Sequence, residues 1–313
     1  MVKTLVLRLA TSLALLIVVP TLTFFIQGIT PTDVARGVLG IDASPEQVAA
    51  FNQKLGLDQP LVAQYMRWLG KALHGDLGNS YQTSQSVQEI LAPRIGVSLS
   101  LIIGALLVYA VVGVVLGVLS TTGGTAIGRI LDAVSTLGLA VPNFWLATIL
   151  VSVFSVELLL VPASGYVSLG DDPEMWFLSL LLPVIALAFG GITAVAKQTR
   201  DQMMVALESP YTRTLRANGI SRFSLVYKHA LRNSAGPVVT VLGTIFVGTL
   251  SGSVIIENIF VMPGLGSQAL DSALQSDLPV IQGIAVYFTI IIVIVNLIID
   301  VVTMVLNPKV RTA

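Results

Sequence analysis

Five basic side chains lie close together between residues 211 and 237 of a chain that is 54% hydrophobic and only 11% charged. Guanidinium and ammonium groups of this kind bind phosphates and carboxylates. A helix, a glycine turn and an arginine-rich second helix also occur in DNA-binding proteins. Long apolar segments flank this stretch on both sides, however, so it could hardly lie in a major groove, and we exclude nucleic acid as a partner. The five residues are Arg213, Arg216, Arg222, Lys228 and Arg232.

Other reactive residue types are scarce. The chain has no Cys and only two histidines, His74 and His229. Thiolate nucleophiles and thiolate metal ligands are therefore excluded, and two distant histidines do not suggest a metal site. The only Gly-Lys pair, Gly70-Lys71, is followed by Ala72 and lacks the upstream glycine and the Ser or Thr of a phosphate-binding loop. We therefore predict no catalytic residue, no metal and no cofactor bound by this chain.

A mean hydropathy of +0.87 places the chain in a membrane, because a soluble domain needs about a quarter of its residues charged. Six apolar segments are long enough to cross ~30 Å of hydrocarbon. Pro142 either kinks the long third segment or marks a new start. The first segment resembles a signal peptide, but no A-x-A-like site follows its long apolar run, so we expect it to be retained. The six predicted transmembrane helices are residues 7–28, 98–119, 131–160, 177–196, 238–256 and 280–306.

The distribution of Lys and Arg predicts the orientation of these helices, because cytoplasmic connections retain positive charge. Twelve of the 17 basic residues would lie on one side, and the two short connections opposite, residues 165–176 and 258–279, contain none. The other five lie in residues 29–97, a loop long enough for the rule to lapse. We expect both termini in the cytoplasm. The twelve are Lys3, Arg8, Arg129, Lys197, Arg200, Arg213, Arg216, Arg222, Lys228, Arg232, Lys309 and Arg311.

The first loop, residues 29–97, carries the signals of two amphipathic helices. Ser44 and Gln47 predict a capping box, and Gly56 predicts the end of the first helix. Asp58 and Gly75 are the corresponding cap and terminator of the second. The helices either form a small cap that covers the loop or present a docking surface to an external partner. For docking, the candidates are Tyr65 and Trp68, on the apolar stripe of the second helix.

Two small-xxx-small patterns lie in the predicted transmembrane helices. Gly113 and Gly117 form the first, and Gly248 and Gly252 form the second. Glycines at this spacing let two helices approach closely. We expect all four to be helix-packing positions.

The basic stretch itself has clear capping signals. Ser209 and Pro210 predict the start of a short helix, and Gly219, after Asn218, predicts its end. Ser221 would cap a second helix that reaches about residue 233. Positive charge alone explains the arginines but not two capped helices with apolar faces. A short helix held between two transmembrane helices would act as a lever for a cytoplasmic partner.

At these residues the sequence resembles the permease subunits of bacterial ATP-binding-cassette importers, in particular the dipeptide/oligopeptide branch. That branch carries an EAA signature and reads like "YVRTARAKG…RHALRNA", which "YTRTLRANGISRFSLVYKHALRN" matches, with Arg213-Thr214-Leu215 in the EAA slot and Gly219 as its glycine. The resemblance covers nearly the whole chain. Further matching segments are "LGLDQPLVAQYMRWLGKALHGDLGNSY" (55–81), "VPNFWL" (141–146), "VPASGY" (161–166), "ENIFVMPGLGSQALDSALQSDLPVIQG" (257–283) and "NPKVR" (307–311).

The resemblance implies a type I importer fold with a cytoplasmic coupling helix that seats in a groove of an ATPase. It implies these partners: a second homologous permease, two cytoplasmic ATPase subunits that bind ATP and Mg, an extracytoplasmic substrate-binding protein, membrane lipid and a peptide substrate. The location would be the bacterial inner membrane. The residues that it implies for coupling are Glu208, Tyr211, Arg213, Thr214, Leu215, Ala217 and Gly219.

The expected division of the chain is residues 1–28 with the first transmembrane helix, loop 29–97, core 98–306 with coupling loop 197–236, and tail 307–313. Close relatives import nickel, glutathione or oligosaccharides, so these solutes remain alternatives to peptides. An ion-coupled secondary transporter is the alternative from another class. It would favour inverted repeats around an ion site at mid-membrane depth, and ATP dependence of uptake separates the two.

Overall fold

The chain is helical in a computed structural model, which describes residues 2–29, 34–123, 128, 130, 133, 138 and 140–306. Arg129, Lys309, Arg311 and the tail 307–313 lie outside the described residues. The helices are α1 (Val2–Ile29), α2 (Val34–Leu39), α3 (Pro45–Leu55), α4 (Leu61–Ala72), α5 (Val87–Thr122), α6 (Asn143–Glu157), α7 (Pro173–Glu208), α8 (Pro210–Ala217), α9 (Arg222–Ile259), α10 (Leu265–Leu274) and α11 (Leu278–Leu306).

Five of these helices are long and apolar enough to cross a membrane: Ala10–Ile29 of α1, α5, α7, α9, and Leu278–Val305 of α11. The prediction of an all-α polytopic membrane protein is confirmed. The third predicted helix differs, since its described continuous part is the shorter apolar α6, which starts at Asn143, directly after Pro142. Pro142 has an extended backbone and stands at the N-cap, so it marks a new start, where a missing N–H costs no hydrogen bond.

The chain divides into two compact units. One, the core unit, comprises the described residues of 98–262 and 295–306; the other, the loop unit, comprises the described residues of 2–97 and 263–294. The first transmembrane helix and residues 263–294 therefore cluster with the first loop. This grouping departs from the linear division expected from the sequence, because contacts between distant segments define it.

In the core unit, α5 packs against α7 through the predicted glycines. A Cβ on Gly113 would lie 2.7 Å from Cβ of Val195, and one on Gly117 would lie 2.5 Å from Cβ of Thr199. Any side chain at either position would force the two helices apart. Both glycines therefore lie at a close contact between α5 and α7.

The second glycine pair, on α9, behaves differently. A Cβ on Gly252 would lie 3.1 Å from Cδ1 of Leu187, so this position is a close contact with α7. No described residue lies within 4 Å of the Cβ position of Gly248, and the packing expected there stays a prediction.

In the loop unit, the first amphipathic helix forms as predicted. Ser44 Oγ accepts a hydrogen bond from the Gln47 amide, Gln47 Oε1 accepts one from the Ser44 amide, and Gly56 closes α3 with φ 68°. The prediction that Asp58 caps the second helix is wrong. Pro60 stands at the N-cap of α4 instead, without a side-chain hydrogen bond, because its ring already favours the φ of a chain entering a helix.

Tyr65 and Trp68 both pack against Phe24 of α1. The ring centroid of Tyr65 lies 5.4 Å from that of Phe24 and 5.5 Å from that of Phe25, and its hydroxyl lies 2.6 Å from Oγ1 of Thr21. Tyr65 is only 8% exposed. The aromatic stripe of α4 therefore supports the alternative in which the helices cover the loop, because large apolar surfaces are stabilised by burial.

A buried carboxylate joins two distant segments of the loop unit. Asp277, 4% exposed, accepts hydrogen bonds from the hydroxyl of Ser80 and, at 3.0 Å, from the amide of Tyr81. Burial, together with the charge of Asp277, raises the pKa of the Tyr81 hydroxyl to about 12. The segment before α5 is thus held against the start of α11.

Candidate functional site

The basic stretch forms a short helix, α8, set directly between two long ones. α7 runs unbroken to Glu208, and α9 begins at Arg222 and continues to Ile259. The prediction that the second helix ends near residue 233 is wrong. Ser234 and Val238, 2% and 4% exposed, are buried on either side of Pro237. Packing of this kind holds a helix through a residue that would end it locally.

Ser209 joins α7 to α8 without a flexible linker. It is at once the C-cap of α7 and the N-cap of α8, and its Oγ accepts from the Thr212 amide and donates to the Ala206 carbonyl at 2.7 Å. Thr212 is 1% exposed, and its hydroxyl donates to the same carbonyl at 2.6 Å. Both hydroxyls therefore anchor the first turn of α8 to the last turn of α7.

The other end of α8 closes in a Schellman motif. The Gly219 amide donates to the Arg216 carbonyl at 3.1 Å, and the Ile220 amide donates to the Leu215 carbonyl at 3.2 Å. Gly219 has φ 78°, a conformation that side chains rarely adopt. Two residues later Ser221 caps α9, so only four residues separate the end of α8 from the start of α9.

A small apolar cluster supports this arrangement. It joins Val118 of α5, Met203 and Ala206 of α7, and Val226 and Ala230 of α9, all at most 5% exposed. Burial of such side chains resists separation of the three helices. The cluster therefore holds α5, α7 and α9 together.

Most of the residues predicted for coupling are available to a partner. Leu215 is half-buried and Tyr211 is 43% exposed, with its ring centroid 6.3 Å from that of His229. None of the described residues forms an ion pair with Arg213 or Arg216. Both guanidinium groups can therefore bind an acidic partner. The exposed members of the predicted set are Glu208, Tyr211, Arg213, Thr214, Ala217 and Gly219.

Sequence reasoning missed three residues of this site. Thr212, the buried anchor, follows the cap by three positions, a spacing that could have identified it. Phe223 and Tyr227 lie one helical turn apart on α9, with ring centroids 4.6 Å apart and exposures of 73% and 46%. Tyr227 lies in a π-helical stretch, Leu225–Ala230, which the sequence did not reveal. An exposed aromatic pair beside α8 extends the surface that a partner could cover.

A cleft lies between α8 and the end of α5. Its volume is about 460 Å³, and its lining includes Thr121, Thr122, Arg216 and Arg222. The lining contains no acidic side chain, so its charge favours an anionic group. The cleft therefore extends the basic character of α8 toward α5.

Comparison with known proteins places both parts of the chain in one family. A family described as binding-protein-dependent transport system inner membrane component matches residues 110–312. The N-terminal region of such components matches residues 1–102.

Several relatives match almost the full chain. This chain is 38% identical to a putative peptide transport system permease protein of Brucella abortus (strain 2308). The alignment spans 305 residues and covers 97% of each chain. The chain is 34% identical to the dipeptide transport system permease protein of Lactococcus lactis (99% of this chain, 100% of the relative). Identity to the corresponding dipeptide permease of Bacillus subtilis is 35%, over 95% and 94% of the two chains.

A solved structure shares the fold. The inward-facing MetNI methionine ABC transporter matches with a TM-score of 0.52 and 17% identity, over 70% of this chain and 97% of that one. The prediction of the importer permease fold is confirmed.

Proposed function

This chain belongs to the family of inner membrane components of binding-protein-dependent transport systems, and we propose that it is the permease subunit through which an ATP-driven importer takes up dipeptides or oligopeptides. The peptide class rests on the names of the relatives. No catalytic residue is assigned to the chain, and ATP with Mg would bind to partner subunits.

The observation that supports the transport mechanism is the way in which α8 is connected to α7 and to α9. Its first turn is hydrogen-bonded to α7 through Ser209 and Thr212, and its last turn closes at Gly219, three residues before α9 begins. A rigid connection of this kind passes displacement to the transmembrane helices with little loss, whereas a flexible linker would absorb it.

The proposed partner of α8 is one of two cytoplasmic ATPase subunits. The arginines on α8 can pair with acidic side chains, while Tyr211 and Leu215 offer apolar contacts in a groove. When nucleotide closes the ATPases, α8 would move with them, and the path between this chain and a second homologous permease would alternate its exposure. An extracytoplasmic binding protein would deliver the peptide.

The orientation is part of the proposal. The basic residues around α8 support a cytoplasmic position for it and for both termini. Residues 29–97 would then lie outside, where the binding protein docks. The bacterial inner membrane follows from the family.

Uptake in proteoliposomes tests the proposed function. The chain would be reconstituted with the second permease, both ATPases and the binding protein, and labelled dialanine would be offered to the binding-protein side. We expect uptake with ATP on the ATPase side, none with a non-hydrolysable analogue, and no change when ionophores collapse ion gradients. Uptake driven by an ion gradient without ATP would contradict an ATP-driven importer. ATP-driven uptake of nickel or glutathione instead of peptides would contradict the peptide class alone.

A further inference from the structure

Helix α4, which the sequence places in the first loop, lies beside the last turns of α1. A Cβ on Gly28 would lie 2.6 Å from Cδ2 of Leu61. Further along α4, the Tyr65 hydroxyl lies 2.6 Å from Oγ1 of Thr21. Thr21 precedes the end of the apolar span at Ile29 by eight residues, which correspond to about 12 Å of helix. Tyr65 therefore contacts α1 within the span and not beyond its end.

One side of α4 is apolar and uncovered. Val62, Met66 and Leu73 are 62%, 61% and 78% exposed. Spacings of four and seven residues place these side chains on one face of the helix. This face differs from the one that Tyr65 and Trp68 present to α1. Large apolar side chains gathered on one uncovered face indicate contact with a membrane or with another protein.

The charged side chains of α4 lie on the opposite side of the helix. Arg67 follows Val62 by five positions, and Lys71 follows Met66 by five positions, which is a rotation of about 140° in each case. Both basic residues are exposed. Basic residues on one side and large apolar residues on the other are typical of helices that lie in the plane of a bilayer surface.

The exposed side chains of α1 at the same depth are also apolar. Leu22 and Ile26, on either side of the contacts with Tyr65, are 56% and 65% exposed. Only 6% of the most apolar part of α1 is buried. Acyl chains are the surroundings that such a span requires. A protein that docks from water could reach the charged side of α4 but not its apolar side at the level of Thr21.

We propose that α4 is embedded in the bilayer surface at the Ile29 end of α1, which is the outer leaflet in the proposed orientation. Val62, Met66 and Leu73 lie among acyl chains, while Arg67 and Lys71 face the headgroups and water. The first loop is then anchored to lipid as well as to α1. This placement concerns the bilayer and is independent of the imported solute.

Spin labels on single cysteines test this placement, because the chain has no native Cys. Val62→Cys, Met66→Cys and Leu73→Cys carry the label on the apolar face, and Lys71→Cys, on the charged side, is the matched control. Each labelled chain would be assembled with the second permease and both ATPases in nanodiscs of phosphatidylethanolamine and phosphatidylglycerol. Electron paramagnetic resonance measures collisions of the label with oxygen, which concentrates among acyl chains, and with a nickel chelate, which stays in water. We expect the oxygen-to-nickel ratio to be several-fold higher at the three apolar positions than at the control.

Two results would overturn the proposal. Preferential collision with nickel at all four positions would place α4 in water. Exclusion of both probes from the apolar face would mean that a protein subunit, and not lipid, covers it.

A carboxylate on the apolar face gives a second test. Met66→Asp should raise nickel collisions of a label at Leu73→Cys several-fold, because a charge among acyl chains is costly and drives the helix toward water. Lys71→Asp, on the charged side, should leave these collisions unchanged. Equal collisions in both variants would contradict the embedding of α4. The uptake experiment does not decide this proposal, since either result there is compatible with either position of α4.

Discussion

At the scale of single residues, Gly219 decides the direction in which the chain leaves α8. Its φ of 78° closes the Schellman motif, and a Cβ there would meet no atom within 4 Å. The glycine is therefore required for its backbone conformation and not for space. For residues other than glycine, such a left-handed backbone conformation costs roughly 1 kcal/mol of free energy.

We predict that Gly219→Val abolishes coupling while the protein still reaches the membrane. The strained backbone would misdirect α8 and move Tyr211 and Leu215 out of the proposed groove. ATP hydrolysis should no longer respond to liganded binding protein, and uptake should fall to background. Membrane insertion, complex yield, stimulated hydrolysis and uptake can be measured on one preparation.

Gly40→Val is the matched control for backbone strain. Gly40 has φ 97° and equally open surroundings, but it follows α2 in the loop unit. This variant should retain stimulated hydrolysis. Arg222→Ala should have a smaller effect than Gly219→Val, since the charge at Arg222 chiefly serves orientation. Normal transport by Gly219→Val with loss of transport in Arg222→Ala would mean that coupling depends on the positive charge and not on the rigid connection of α8.

At the scale of elements, segments far apart in the chain are held together by single polar side chains. Asp277 holds the segment before α5, and Ser80 Oγ in turn accepts from the amides of Gln82 and Thr83. A carboxylate with this many donors organises the loop as a unit, because each buried donor needs a partner. The order of this segment thus depends on the start of α11.

We predict that Asp277→Ala loosens residues 78–86. The Ser80 hydroxyl and the Tyr81 amide would lose their acceptor, at a local cost of about 1–3 kcal/mol. Hydrogen exchange of the amides of Tyr81, Gln82 and Thr83 should become faster by the corresponding factor. Asp271→Ala, at an exposed position of α10, is the control and should leave exchange unchanged. Equal exchange in both variants would remove this role from Asp277.

At the scale of the whole molecule, the distribution of basic residues sets the expected orientation. The connection that contains α8 carries seven of the twelve basic residues assigned to the cytoplasmic side, while residues 165–176 and 258–279 carry none. The first loop, 29–97, contains the other five basic residues. They do not oppose this orientation, because long loops translocate largely regardless of charge.

We predict that an impermeant thiol reagent labels a Cys at Gln53 in intact cells and does not label one at Ser221. The chain has no native Cys, so single substitutions are unambiguous. Gln53 and Ser221 are both exposed in the structure, and burial therefore cannot explain a missing label. Labelling of both positions after permeabilisation is the control. The reverse pattern in intact cells would invert the topology.

The sequence by itself determined the features that depend on neighbours a few residues apart. The caps at Ser44, Ser209 and Ser221 and the left-handed glycines at Gly56 and Gly219 form as predicted. A cap needs only a side chain and an amide two or three positions away, so its signal is local. Long apolar runs are local in the same sense, and they identified the membrane-spanning helices.

Only the tertiary structure decided the features that depend on distant partners. Pro60, and not the predicted Asp58, stands at the N-cap of α4, and Tyr65 is buried against Phe24 and Phe25. The contact between Ser80 and Asp277 joins residues 197 positions apart, and that between Pro20 and Gln282 joins residues 262 positions apart. No pattern within a short window specifies which segments meet. Their pairing follows from the burial that the packed helices achieve together.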